Sequence, residues 1–143
     1  MHLVFGHDAV VWQWAEARAG QVLQPHLAVG IVDTQGTLRG CFLLHEVTPY
    51  TAELSVYAEA TLTPNVIRAI FAVPFVSLGY GRLQTTVAKD NTRAKKENPR
   101  WGFKFEGTAR DFFGEKQDGL RYAMLKRDCR FLRKIKDEVH GTV

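Results

Sequence analysis

Asn91-Thr92-Arg93-Ala94-Lys95-Lys96-Glu97-Asn98-Pro99-Arg100-Trp101-Gly102-Phe103-Lys104-Phe105-Glu106-Gly107 is the stretch on which the reading of this chain turns. Asn is a strong helix opener, because its side-chain oxygen accepts a backbone N–H of the first turn. A small residue, Ala94, follows three positions later. Gly102 stands where a helix would stop, since glycine takes the left-handed conformation without cost. Phe103 to Arg110 then reads as a strand. A helix stop and a core phenylalanine account for Gly102 and Phe103 alone. They do not account for the regular spacing from Asn91 to Gly107.

Outward from that stretch the chain alternates helix and strand. Arg82–Lys89 puts Leu83, Thr85 and Val87 on one face of a strand. Upstream, Thr63-Pro64 marks a helix start, with Thr as cap and Pro where no N–H is needed. That helix is expected to run through Ile67, Ile70, Phe71 and Phe75 to Gly79, with Pro74 kinking it or freeing one carbonyl. Thr51–Tyr57 alternates Ala52, Leu54 and Val56 against Glu53, Ser55 and Tyr57. Leu27–Val32 and Leu38–Val47 flank the turn Asp33-Thr34-Gln35-Gly36-Thr37 and read as a hairpin. Asp8–Arg18 has Val10, Val11, Trp14 and Ala15 at helical spacing, and Gly20 ends it. Trp12 and Trp14 cannot share one helix face. After Phe103–Arg110, a turn around Gly114–Gly119 leads to a strand at Arg121–Lys126. Asp128 is expected to cap a last helix carrying Phe131, Leu132, Ile135 and Val139. The order is helix, three strands, helix, strand, helix, two strands, helix. It predicts an α/β (α+β) fold: one mixed, mostly antiparallel sheet with helices on both faces, and a right-handed parallel crossover from Thr51–Tyr57 to Arg82–Lys89.

The 143 residues suit a single domain spanning 1–143. An apolar share of 45% is enough for a core. No apolar run approaches the roughly 20 residues of a membrane span, and no signal-peptide pattern opens the chain, so a cytoplasmic protein with no membrane partner is expected. Cys41 and Cys129 share no spacing motif and read as reduced packing residues. His2, His7, His26, His45 and His140 are scattered, so no metal site is expected. The net charge of +4 is concentrated at Arg82–Lys104 and Lys126–Lys136, which suits an anionic partner, a coenzyme phosphate or a nucleic acid alike.

The spacing of Asn91, Ala94, Trp101-Gly102-Phe103 and Glu106-Gly107 resembles the C-terminal half of the GNAT acetyltransferase family, especially the branch that acetylates the N-termini of ribosomal proteins. Phe75-Val76-Ser77-Leu78-Gly79-Tyr80-Gly81-Arg82 resembles the family's aromatic followed by Leu-Gly-x-x-Arg. The resemblance covers Ala52 to Lys126. It implies a GNAT-like acyl-CoA N-acyltransferase fold in which the strands Thr51–Tyr57 and Arg82–Lys89 splay apart. It further implies acetyl-CoA as acyl donor, its pantetheine arm lying in the gap against backbone near Val56 and Tyr57. The pyrophosphate would sit on the helix tip at Thr63, on amides of Asn65, Val66 and Ile67, with Arg68 adding charge. Asn91 would hydrogen-bond the arm, and Arg93 and Lys95 would reach the nucleotide phosphates.

Two positions depart from the family. Its pyrophosphate loop is glycine-rich, whereas Ala58-Glu59-Ala60-Thr61-Leu62-Thr63-Pro64-Asn65 has no glycine. Many members carry a Tyr seven residues after the Asn as acid toward the leaving thiolate. Asn98 stands there and has no proton to give at neutral pH, and Pro99 disfavours helix at Asn98. For the base, the Ala52-Glu53-Leu54 strand resembles one in which some members place a catalytic Glu. That makes Glu53 the first candidate, whose burial would raise its pKa. It equally fits a surface Glu on a polar strand face. Tyr57 and Glu59 are further candidates. The reading is thus an N-acetyltransferase acting on a primary amine, a protein N-terminus among them, as a monomer or homodimer. The alternatives are a catalytically degenerate member that binds nucleic acid or a protein through its basic face, and an enzyme acting on a nucleobase amine.

Overall fold

The computed structural model describes residues 1–20 and 22–132. Among the described residues the α-helices and strands follow one another as β1 His2–Val4, α1 Asp8–Ala19, β2 Leu27–Val32, β3 Leu38–His45, β4 Thr51–Ala58, α2 Pro64–Ala72, β5 Arg82–Ala88, α3 Thr92–Trp101, β6 Lys104–Gly114 and β7 Gln117–Leu125. All strands join one sheet in the order β1-β2-β3-β4-β5-β7-β6. The β4–β5 pair is parallel and the others are antiparallel. This is the mixed sheet expected. Ile135, Val139 and the end of the basic run at Lys136 lie outside the described residues.

Strand alternation sorts the core into two layers. Phe42, Leu44, Ala52, Leu54, Leu83 and Val87 bury one face under α2, whose Val66, Ile70 and Phe71 point into it. Ala28, Cys41 and Leu43 bury the other face under Val11 and Ala15 of α1. Phe71 ties α3 to the first layer. Its ring meets Trp101 edge-on at 5.7 Å and lies stacked on Phe131 at 5.0 Å. Neither tryptophan of α1 is fully buried; Trp12 and Trp14 both flank the second layer, and the Trp12 indole donates to the Val22 carbonyl at 3.0 Å.

Four local expectations need correction. Strand β1, absent from the sequence reading, pairs with β2 over three residues. The helix from Thr63 is disturbed at Pro74, as expected, but it ends as an α-helix at Ala72 and stops short of Gly79. Pro74 has no N–H to donate, and the chain widens into a π-helical turn, Val73–Ser77, closed by Leu78 N–H donating to the Val73 carbonyl at 3.0 Å. Pro99 does not stop α3 at Asn98. The helix passes through it to Trp101, and Gly102 at φ 99° closes it as Phe103 N–H reaches the Asn98 carbonyl at 3.0 Å. The β6–β7 hairpin is longer than expected. Its turn is Glu115-Lys116, and irregular register between Phe105 and Gly107 and between Ala109 and Gly114 lets β6 carry residues without a partner.

Candidate functional site

Strands β4 and β5 pair only at Thr51↔Arg82, Ala52↔Leu83 and Glu53↔Gln84. Beyond that seam β4 stays paired with β3 as far as Gly40↔Ala58, and β5 stays paired with β7 as far as Ala88↔Gly119. Each strand keeps one full partner, and the two part company. Both strands are parallel, so their C-terminal ends lie at the same open mouth. The chain enters α2 from the end of β4 and α3 from the end of β5. Two helix N-termini therefore flank the mouth of the gap. That is the place where open α/β sheets hold ligands and where partial positive charge gathers.

Val56 and Tyr57 lie on the open stretch of β4. Val56 packs toward the α2 layer and Tyr57 toward Cys41 on the α1 side. Burial raises the Tyr57 phenol, and Cys41 adds to the effect. Burial also pushes the Cys41 thiol up to about 12, so it stays protonated and inert as a nucleophile.

At the α2 tip, the Thr63 hydroxyl accepts the Val66 N–H at 3.3 Å and the Thr63 carbonyl accepts the Ile67 N–H at 3.0 Å. Pro64 has no N–H. Of the amides expected for the pyrophosphate, Val66 and Ile67 are thus already engaged within the helix, and Asn65 supplies the first-turn N–H that remains. The Arg68 guanidinium donates to the Asn65 side chain. A cleft of about 340 Å³ opens beside this tip, lined by Pro64, Ile67, Arg68, Arg130 and Phe131. Glu59 is turned to Arg18 of α1 in an ion pair.

At the α3 tip, Asn91 caps the helix, its side-chain oxygen accepting the Ala94 N–H at 3.1 Å. Arg93 pairs with Glu97 one turn along at 2.9 Å. Lys95 follows on the same helix, half-buried. Asn98, where the family carries tyrosine, donates its amide to the Ala94 carbonyl at 2.9 Å.

Glu53 sits at the last seam position and is 9% exposed, so it is not a solvated side chain on a polar strand face. The Thr86 hydroxyl, past the seam on β5, donates to its carboxylate at 2.7 Å, spanning the start of the gap. Burial raises the Glu53 carboxyl, the Thr86 bond works against that, and Glu46 raises it further. His45, the cross-strand neighbour of Glu53, is equally buried, and its Nδ1 has no hydrogen-bond partner. Burial lowers its pKa. His45, Glu46 and Thr86 were not singled out from sequence. The one available signal was that His45 ends a strand whose alternate residues Cys41 and Leu43 share its face. Glu106, from the fold-deciding stretch, forms a two-pronged ion pair with Arg82 and so ties β6 to β5 across β7. Among the described residues, no three His, Cys, Asp or Glu side chains cluster as metal ligands, and no helix is long and apolar enough to cross a membrane.

No family model matches the chain, and no curated protein matches it in sequence. Solved structures do. A chimera of the spermidine N-acetyltransferase SpeG from Vibrio cholerae and hSSAT superposes with a TM-score of 0.74 at 18% identity, covering 93% of this chain and 99% of that one. A single-residue variant of SpeG from Vibrio cholerae gives 0.66 at 22% identity, over 76% of this chain and 67% of that one. A GCN5-related N-acetyltransferase from Brucella melitensis gives 0.63 at 23% identity, over 84% and 59%. With its splayed seam and two flanking helix tips, the chain is built on the fold that these GNAT acetyltransferases share.

Proposed function

We propose that this chain is an acetyl-CoA-dependent N-acetyltransferase that passes acetyl directly from the thioester to a primary amine in a ternary complex. The observation that carries this reading is the three-residue seam between β4 and β5, which leaves a gap with a buried carboxylate at its closed end. In that gap the pantetheine arm would lie along Val56 and Tyr57. Asn91 would bond it, and the diphosphate would lie toward Asn65 and Arg68, with Arg93 and Lys95 near the nucleotide. Glu53 would take the proton of the attacking amine, a task suited to a carboxyl raised by burial. A backbone amide near Val56 or Tyr57 would stabilise the oxyanion. The thiolate would take its proton from water, since Asn98 has none to give. A protein N-terminus is the acceptor class suggested by the ribosomal-protein branch, and a polyamine the class suggested by the structures of similar fold. The cytoplasm, where acetyl-CoA and either acceptor meet, is the matching location.

The engaged amides and glycine-free tip of α2 favour a second reading, a degenerate member that keeps the fold and binds a partner through its basic face. Calorimetry with acetyl-CoA separates the two. Saturable binding, together with thiol release on adding spermidine or an N-terminal peptide, supports the enzyme. Absence of binding at millimolar acetyl-CoA overturns it. Glu53→Gln should remove turnover and leave coenzyme affinity unchanged.

A further inference from the structure

Beside the buried carboxyl of Glu53, on the same side of the sheet, stands a cation with no partner. On that side α1 packs over β2 and β3, with Val11 and Ala15 against Ala28, Cys41 and Leu43. Along β5 and β7 the same side carries small or polar residues instead. β7 turns Leu120, Tyr122 and Met124 to the α2 layer, and Gly119, Arg121 and Ala123 the other way. β5 turns Leu83 and Val87 to the α2 layer, and Arg82, Gln84 and Thr86, all half-buried, the other way. Arg121 lies directly across from Thr86, whose hydroxyl bonds the Glu53 carboxylate at 2.7 Å. Its backbone is thus one strand spacing, about 4.8 Å, from that of Thr86. Among the described residues Arg121 has no hydrogen bond and no ion pair, and its guanidinium lies 5.9 Å from the centre of the Phe112 ring. Gly119 makes room for that ring, since a Cβ there would sit 3.0 Å from Phe112 Cβ and 2.7 Å from Thr86 Cγ2. The carboxylates of this face are already engaged: Glu106 holds Arg82 in its two-pronged pair, and Glu53 takes the Thr86 hydroxyl.

We propose that Arg121 binds a carboxylate of the acceptor, so that the favoured substrate is a primary amine with an acid group close by. Two sources share that chemistry, a free amino acid and a peptide whose N-terminal residue is followed by an acidic one. The proposal rests on the acetyltransferase reading. A guanidinium presents parallel N–H donors that match the two oxygens of a carboxylate. An acceptor whose acid is held over β7, against the Phe112 ring, reaches across Thr86 and presents its amine to Glu53. A polyamine would bring its charges beside an unpartnered guanidinium, and like charges repel.

The test measures acetyl transfer to short peptides that differ only in Asp or Asn at the second position, to alanine and alaninamide, and to spermidine. In the wild type kcat/KM should be roughly tenfold higher for the acid member of a pair than for its amide, the worth of one charged hydrogen-bonded contact. Whichever pair shows that ratio identifies the source of the acid. Arg121→Gln should bring the acid acceptor down to the level of its amide, through KM, and Arg121→Lys should recover part of the preference. Thermal midpoints of both variants should stay near the wild type, since Arg121 holds no hydrogen bond in the free protein. Equal rates for acid and amide in the wild type, a preference for spermidine, or a preference that survives Arg121→Gln overturns the proposal. An equal loss for both acceptors in Arg121→Gln also overturns it, because Arg121 would then act only on Glu53. Arginine side-chain NMR of the wild type supplies a readout that needs no turnover. The Nε signal missing from Arg121→Gln should shift on adding the Asp peptide and not the Asn peptide, and a signal that stays fixed overturns the carboxylate site. A shift without acetyl transfer to any acceptor removes the enzyme reading and leaves the carboxylate site standing.

Discussion

The sheet consists of two antiparallel halves that behave differently where they meet. β1–β4 form one half and β5, β7 and β6 the other, and a parallel seam of three residue pairs joins them. At the closed end of the seam everything is tied. Gly81 N–H donates to the Tyr50 carbonyl at 2.9 Å, Lys126 N–H donates to the Gly81 carbonyl at 3.0 Å, and the Tyr50 ring lies so close to Gly81 that a Cβ there would sit 2.1 Å from it. At the open end each half follows its own partner. Lys89 N–H bonds the Asp118 carbonyl at 3.1 Å on the β7 side, and Glu59 N–H bonds the Arg39 carbonyl at 2.8 Å on the β3 side. The gap is therefore not a failure of packing. Leu54, Leu83 and Val87 keep the α2 layer continuous beneath both ends. The lesson is that one end of β4 is held by strands on both sides, and the other keeps only β3 as its partner, the gap that the proposed function assigns to a ligand.

The sharpest way to break that division is to cut the same kind of side chain at each end. Leu83 lies in the seam, fully buried. Leu83→Ala should cost about 2–5 kcal/mol, the usual range for a leucine removed from a close-packed core. Val56 lies on the open stretch and is half-buried. Val56→Ala should cost only about 1 kcal/mol, given roughly 0.8 kcal/mol per buried methylene, and should act instead on acetyl-CoA affinity. Urea midpoints measure the first effect and calorimetry the second. Equal stability losses at the two sites would erase the distinction.

A smaller effect tests the α2 tip. Thr63→Ala removes the hydroxyl that holds the Val66 N–H, and loss of such a cap costs about 1 kcal/mol. It also releases that amide toward the mouth of the gap. If the tip holds the diphosphate, the variant should be less stable and yet bind acetyl-CoA more tightly. Thermal denaturation with and without acetyl-CoA reads both at once. A fall in both quantities would show that the cap supports the site rather than competing with it.

Much of this division was legible in the chain. The bounds of Leu27–Val32, the cap at Thr63 and the opening of α3 at Asn91 follow from local chemistry, because caps and turns are decided by a few neighbouring atoms. The length of the seam was not legible from periodicity. β4 and β5 go on alternating after Glu53 and Gln84, since each still has a partner on its other side. Only the resemblance pointed to a gap there. The burial of Glu53 was hidden for a related reason. Its position alternates with Ala52 and Leu54 as a solvent-facing residue would, but here the side chains of His45 on β3 and Thr86 on β5 flank it on that face. Pro74 disturbs its helix as the sequence reading expected, whereas Pro99 does not. Each costs one helical hydrogen bond, and the surrounding packing decides whether the helix widens, as after Ala72, or simply continues, as at Asn98. Strand β1 escaped notice because three residues at a sheet edge carry too little pattern.

The smallest expected effect is a pH dependence at the closed end of the gap. Glu53 has its folded pKa raised, first by burial. Between the ordinary glutamate value of about 4.3 and that raised value, the folded chain holds a proton that the unfolded chain has released. Stability therefore falls as pH rises through this window, because the unfolded state binds fewer protons. His45 works on the other flank. Burial lowers its folded pKa, so below about 6.5 the unfolded chain takes up a proton that the folded one refuses, and stability falls as pH falls. Glu53→Gln removes only the first of these and keeps an oxygen able to accept the Thr86 hydroxyl. Its urea midpoint should match the wild type near pH 4 and rise above it progressively toward neutrality, while the His45-dependent loss in mild acid persists. A variant whose midpoint runs parallel to the wild type across that range would mean that Glu53 meets the same surroundings folded and unfolded, and the closed end of the gap would then be as open to water as its mouth.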